Sequence, residues 1–97
     1  MRLYNTGQVR LDYYGNDLDS KNGLVKKNTW HDLIFWVDNS KKARRIYVDG
    51  EKIAEVVSDG GDIGTKSKTI IGGWNLIAKG LGKTDQMYMG AVDEVRV

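Results

Sequence analysis

Trp30-His31-Asp32-Leu33-Ile34-Phe35-Trp36-Val37, followed by Arg45-Ile46-Tyr47-Val48-Asp49-Gly50, decides the fold. The first segment has neither Gly nor Pro and is dense in aromatic and aliphatic side chains, so it predicts a β-strand. Trp30, Asp32, Ile34 and Trp36 fall on one face, and His31, Leu33, Phe35 and Val37 on the other. Large apolar groups on both faces predict a central strand covered on both sides. Trp30 and Trp36 are accordingly assigned to the core. If the sheet is concave on that side, Trp36 lines a groove instead.

The second segment ends in Asp49-Gly50, a strong signal for a two-residue hairpin. Pairing outward from the turn sets Val48 opposite Glu51, Tyr47 opposite Lys52, Ile46 opposite Ile53 and Arg44 opposite Glu55. An apolar pair and an opposite-charge pair on one ladder make the register self-consistent.

Working outward, residues 8–14 alternate, with Val9, Leu11 and Tyr13 on one face and Arg10, Asp12 and Tyr14 on the other. Leu3-Tyr4 and Asn5-Thr6-Gly7 before them predict a hairpin with Gly7 in a left-handed conformation. Residues 15–23 form a polar loop, and Leu24-Val25 is at most a short strand. Beyond the hairpin, Ile70-Ile71 marks a short strand. Gly73-Trp74-Asn75 opens a long connection to Gln86, within which residues 76–81 could form one helical turn. Met87 to Met89 and Ala91 to Val97 form a closing strand interrupted by Gly90. Seven or eight short strands without a helical stripe predict an all-β sandwich or jelly roll.

Composition narrows the function. The 97 residues allow at most one domain. Fifteen basic and 13 acidic residues give a net charge of +2, which lacks the basic excess of a nucleic-acid binder. The runs Lys26-Lys27 and Lys41-Lys42-Ala43-Arg44-Arg45 lie beside turns and are assigned to solvated loop charge. The absence of Cys excludes disulfides, cysteine zinc clusters and cysteine nucleophiles. No run approaches the roughly 18 apolar residues of a membrane span, so no membrane insertion is expected. No signal peptide is evident.

Four phrases line up in order: Trp30-His31-Asp32-Leu33-Ile34-Phe35, Ile46-Tyr47-Val48-Asp49-Gly50-Glu51-Lys52-Ile53, Ile71-Gly72-Gly73, and Gly90-Ala91-Val92-Asp93-Glu94-Val95-Arg96-Val97. Over residues 30–97 the chain resembles the concanavalin A-like lectin/glucanase superfamily, in its laminin G-like, pentraxin-like branch. Asp32 stands where that family usually has a second His, and Val92 where it usually has Ile. The resemblance implies an antiparallel β-sandwich of the jelly-roll kind. It also implies that residues 1–97 are a single such domain or the C-terminal part of one. The fold is then excised from a larger parent protein, closed with fewer strands, or completed by another copy in a homo-oligomer. An extracellular or cell-surface location follows from the same resemblance, with the cytoplasm as the alternative.

Glycan hydrolases of this superfold carry alternating acidic residues on one strand. Here Asp93 and Glu94 are consecutive and point to opposite faces, so no enzymatic activity is expected. His31, the only histidine, is assigned a partly buried structural role. Asp32 beside it needs a partner such as Arg44, Arg45 or a backbone N–H if its face is core. Calcium is the one cofactor the resemblance brings in, with Asp17, Asp19, Asp59, Asp62 and Asn75 as donors. Residues 17–23 do not fit a calcium-loop frame, because Lys21 takes a ligand position. A glycan is the expected partner, because aromatic faces stack on sugar C–H surfaces while Asp, Asn or Arg reach the hydroxyls. Trp74 and Asn75 are the leading candidates, with Tyr14 and Tyr88 second; the alternative for Trp74 is an apolar plug. The expected function is a non-catalytic carbohydrate-binding or adhesion module. The alternative is a structural or assembly module that pairs exposed strands with a second copy or a partner chain.

Overall fold

Eight short strands follow one another: β1 (Arg2–Leu3), β2 (Val9–Leu11), β3 (Leu18–Asp19), β4 (Leu33–Asp38), β5 (Ala43–Val48), β6 (Glu51–Val57), β7 (Trp74–Asn75) and β8 (Thr84–Asp85). The computed structural model describes residues 1–12, 16–57 and 89–96, together with the backbone of 74–75 and 84–85. No helix occurs among the described residues. The chain divides into two units, Met1–Ile63 and Gly64–Val97.

The first unit holds two antiparallel three-stranded sheets, ordered β1-β2-β3 and β4-β5-β6. Their inner faces meet. Val9 and Leu11 of β2 pack with Ile46 and Val48 of β5, all 6% exposed or less. Leu3, Leu18, Val25, Leu33, Phe35, Val37, Ile53 and Ala54 close around them. The period-two alternation in each strand produces this layer, because every second side chain points inward. The result is the β-sandwich that the strand count predicts.

The β1-β2 turn behaves as expected, with Gly7 at φ +74. Its N–H donates to the Tyr4 carbonyl, and its own carbonyl accepts from Leu24 and Val25. Gly23 N–H reaches back to Thr6 O at 2.8 Å, so the two loops are knitted together.

Several expectations are overturned. The Trp30–Val37 stretch is not a central strand covered on both sides. Its ladder runs from Leu33 to Asp38, and β5 is the middle strand of its sheet. Leu33, Phe35 and Val37 face the core, whereas Ile34 is 53% exposed. Trp30 precedes the strand and is 70% exposed, so it is not a core residue. Trp36 lies outward too, with the Arg45 guanidinium stacked 4.4 Å from its ring centroid. An apolar indole face is thus covered by a cation that stays hydrated at its edge.

The hairpin turn has positive φ at both central residues, 52° at Asp49 and 81° at Gly50, as a type I′ turn requires. Val48 faces Glu51 and Tyr47 faces Lys52 as expected, but a bulge follows. Ile46 then faces Ala54, not Ile53, and Glu55 faces Arg45, not Arg44. The bulge takes Ile53 out of the ladder and lets both Ile53 and Ala54 pack on the core. Arg45 and Lys52 both reach Glu55 on the outer face. Arg44 turns inward instead, fully buried, with Nη1 donating to the Asn16 carbonyl at 2.6 Å. It is therefore not solvated loop charge.

Residues 15–23 are not all loop. Leu18 and Asp19 form β3 because Leu18 reaches the core while Asp19 pairs with Arg10 across the ladder. Leu24-Val25 forms a bend, although Val25 still contacts the core. In the second unit, Trp74–Asn75 is a strand paired with Thr84–Asp85, not the head of an open connection. The one-turn helix expected over 76–81 and the strand near 70–71 lie outside the described residues. Residues 89–96 do not form the expected closing strand. Glu94 has φ 52°, a left-handed value that interrupts an extended run.

Candidate functional site

The tip of the β5-β6 hairpin is fastened to the chain just ahead of β4. His31 Nδ1–H donates to Asp49 Oδ2 at 2.7 Å, and the Asp32 N–H donates to Asp49 Oδ1 at 2.9 Å. In return, the Asp49 N–H donates to the Asp32 carbonyl at 2.9 Å. On its other side, His31 Nε2 accepts the Lys26 N–H at 3.0 Å. That bond uses a lone pair on Nε2, which assigns the ring proton given to Asp49 to Nδ1. The imidazole side chain is only 10% exposed. Sequence assigned it a structural role, and the geometry agrees.

Asp49 titrates below the usual carboxylate range, first because of the His31 hydrogen bond and then because of the Asp32 N–H. Its carboxylate is therefore ionised near neutral pH. Asp32 itself is exposed, and among the described residues no hydrogen bond or ion pair engages its carboxylate. Its backbone, not its side chain, found the partners.

Trp30, His31, Asp32 and Asp49 line a shallow cleft of about 160 Å³. Its walls are a largely exposed indole, two carboxylates and an imidazole whose nitrogens are both occupied. The cleft offers a flat apolar face beside hydrogen-bond acceptors, and among its lining side chains the indole N–H is the one donor that gives no hydrogen bond to another described residue.

Sequence singled out other residues. Trp74 and Asn75 sit on β7 with Asp85 and Thr84 opposite. Tyr14, Tyr88, Asp59 and Asp62 lie outside the described residues. Asp17 and Asp19 do come together, but on Arg10: its Nε and Nη2 donate to Asp19 at 2.5 and 2.7 Å, and Nη1 donates to Asp17 at 3.0 Å. The guanidinium holds the Asp19 carboxyl below its usual range, and Asp19 in turn raises Arg10. Trp30, Asp32 and Asp49 are the residues that sequence reasoning missed as site candidates. A signal was present, since Trp30 directly follows the Lys26-Lys27-Asn28-Thr29 turn and Asp32 interrupts an apolar run.

The pairing of His31 with Asp49 joins two of the four phrases that carried the family resemblance. A family model described as the concanavalin A-like lectin/glucanases superfamily matches residues 1–97. The chain belongs to this superfamily. The matching model is of laminin G type, and the match takes in residues 1–29 as well as the four phrases. No curated protein and no solved structure matches the chain. Laminin G-like domains are usually extracellular and generally non-enzymatic. Among the described residues no helix is long and apolar enough to cross a membrane. In this laminin G-like chain the Trp30-His31 segment ahead of β4 and the Asp49-Gly50 turn are joined by one contact, in which the imidazole and the turn carboxylate hold each other in place.

The carboxylates also set an acid limit. Asp19, Asp38, Asp49 and Glu55 are all lowered, chiefly by hydrogen bonds from Arg10, Ser40, His31 and Lys52 respectively. A folded pKa below the unfolded value adds stability above the unfolded pKa, and that stability is lost as pH falls through the folded value. The denaturation midpoint in urea is therefore expected to fall once the pH drops below about 4. Equal midpoints at pH values well above and well below that point would contradict these pairings.

Proposed function

We propose that the chain is a non-catalytic carbohydrate-binding or adhesion module of a larger secreted or surface protein. One observation carries this reading: Trp30 is 70% exposed at the mouth of a cleft that it shares with the Asp32 and Asp49 carboxylates. An exposed indole face suits the apolar C–H surface of a pyranose ring, and carboxylates accept from its hydroxyls. Superfamily membership supports the same class of ligand. Trp74 and Asn75 remain a second candidate pair on β7.

Catalysis would need a carboxyl with a raised pKa as the general acid. Among the described carboxyls every resolved shift is downward. Asp49 in particular is pinned as an anion. Arg10 already pairs with both Asp17 and Asp19, so these two carboxylates are engaged by a guanidinium.

Trp30→Ala is expected to weaken glycan binding roughly tenfold or more, in line with loss of one aromatic platform. Its melting temperature should stay close to the parent's, because the side chain is mostly in solvent. A glycan array followed by calorimetry measures both. Array-wide silence of the parent chain, or unchanged binding by Trp30→Ala, would refute the assignment.

The assembly reading draws on a different observation. Ile34 and Val57 are 53% and 61% exposed on the outer side of the β4-β5-β6 sheet. Light scattering of the same sample separates the two, since a monomer that binds glycan leaves this face without a role in self-association.

A further inference from the structure

We infer that the Trp30 cleft selects a sugar bearing a protonated amine, a 2-amino-2-deoxy unit, over neutral and anionic glycans. The inference rests on the carbohydrate-binding reading above and adds the ligand class. The chemistry of the walls carries it. His31 has no free nitrogen to offer, because Nε2 accepts from Lys26 N–H and Nδ1–H is given to Asp49. Asp32 and Asp49 can only accept. The lining side chains therefore bring two carboxylates and one donor not given to another described residue, the Trp30 indole N–H.

A neutral sugar hydroxyl both donates and accepts, so each one would leave its acceptor side to water in such a cleft. A sulfate or uronate would meet like charge. An ammonium supplies three donors and no acceptor, neutralises carboxylate charge, and gains attraction from an aromatic face within about 6 Å. The pyranose ring that carries it still has C–H groups to lay against the indole. Trp30 and Asp32 are the two walls not committed elsewhere. Trp30 is largely exposed and Asp32 has no side-chain partner among the described residues, so neither must break a contact to meet the ligand.

The experiment is calorimetric titration of the intact chain with three β-linked oligosaccharides of equal length. One is built of glucosamine, one of N-acetylglucosamine and one of glucose, all at mildly acidic pH where the amine is protonated. The glucosamine oligomer is expected to bind roughly fivefold to tenfold more tightly than the other two. Added salt should shrink that preference, and Asp32→Asn should abolish it. Asp32→Asn keeps the side-chain volume and the backbone bonds to Asp49, so its melting curve should match the parent's. Equal, Trp30-dependent binding of all three oligomers would overturn the amine selectivity while leaving the carbohydrate-binding reading intact. Retained amine preference in Asp32→Asn would also overturn it. A lysine-containing peptide that binds as tightly as the glucosamine oligomer would assign the cleft to protein ammonium groups instead. Failure of every oligomer to bind would overturn the amine selectivity, while the glycan array decides the carbohydrate-binding reading.

Discussion

Ile46→Ala is expected to cost about 2–5 kcal/mol, the range for truncating a fully buried Ile. Ile46 is 0% exposed and stands at the middle of β5, with Phe35 on one side and Ala54 on the other. It also meets Val9 and Leu11 from the opposite sheet. Truncation opens a void where both sheets converge, and Ala54 is too small to fill it. Total stability of a domain this size is about 5–15 kcal/mol, so the loss is a large fraction of it. Urea denaturation followed by circular dichroism measures the change. Ile34→Ala, one ladder position away but 53% exposed, is the control and should move stability by only about 0.5 kcal/mol. Comparable losses in the two variants would mean that the inner and outer faces of β4 and β5 are misassigned.

Gly7→Ala is expected to cost about 2–4 kcal/mol, more than a change of propensity would. Two effects add. The backbone has φ +74, where an L side chain is strained. An added Cβ would also press into the Val25 carbonyl oxygen, with the Gly23 Cα only 3.2 Å away. Those atoms are backbone and cannot rotate aside. Relief would mean parting the turn from residues 23–25, which breaks the bonds from Leu24 and Val25 to the Gly7 carbonyl. Gly50→Ala shares the positive φ but has no atom within 4 Å of the added Cβ, so its cost should be the conformational part alone. If Gly50→Ala destabilised as much as Gly7→Ala, the close approach at Gly7 would not be the cause.

The two glycines show where local sequence stops being informative. Gly50 follows Asp49 between two apolar runs, and that dipeptide announces its turn. Gly7 announces a turn as well, but nothing near it in sequence reveals that Val25 and Gly23 fold against it. Bulges pose the same difficulty. Counting outward from Asp49-Gly50 predicts Ile46 opposite Ile53, and that count is correct until the ladder slips by one residue. Packing forces the slip, because both Ile53 and Ala54 find space on the inner face. Its consequence reverses the roles of neighbours: Arg45 stacks on Trp36 in the open, and Arg44 goes inside to reach the Asn16 carbonyl.

The candidate site was partly legible for a related reason. Trp30, His31 and Asp32 are adjacent, but in sequence Trp30 reads as core, His31 as structural and Asp32 as a carboxylate in need of a partner. Asp49 lies far along the chain and was read only as a turn former. The hydrogen bonds that bring it to His31 exist only once β5 has paired with β4. The sugar-stacking residues proposed from the loop after Gly73 rested on Trp74 being at the head of a loop, and its backbone instead belongs to β7.

By itself, then, the sequence determined an all-β sandwich of the concanavalin A-like kind, the inward face of β2, and the turns at Gly7 and Asp49-Gly50. These depend on period-two alternation and on φ preference, both properties of neighbouring residues. Only the tertiary structure decided which face of Trp30-His31-Asp32-Leu33-Ile34-Phe35-Trp36-Val37 meets solvent, which arginine is buried, and which carboxylate joins His31 beside the Trp30 cleft. Those outcomes depend on what lies across the sheet, and an apolar residue looks the same in sequence whether or not a second layer covers it.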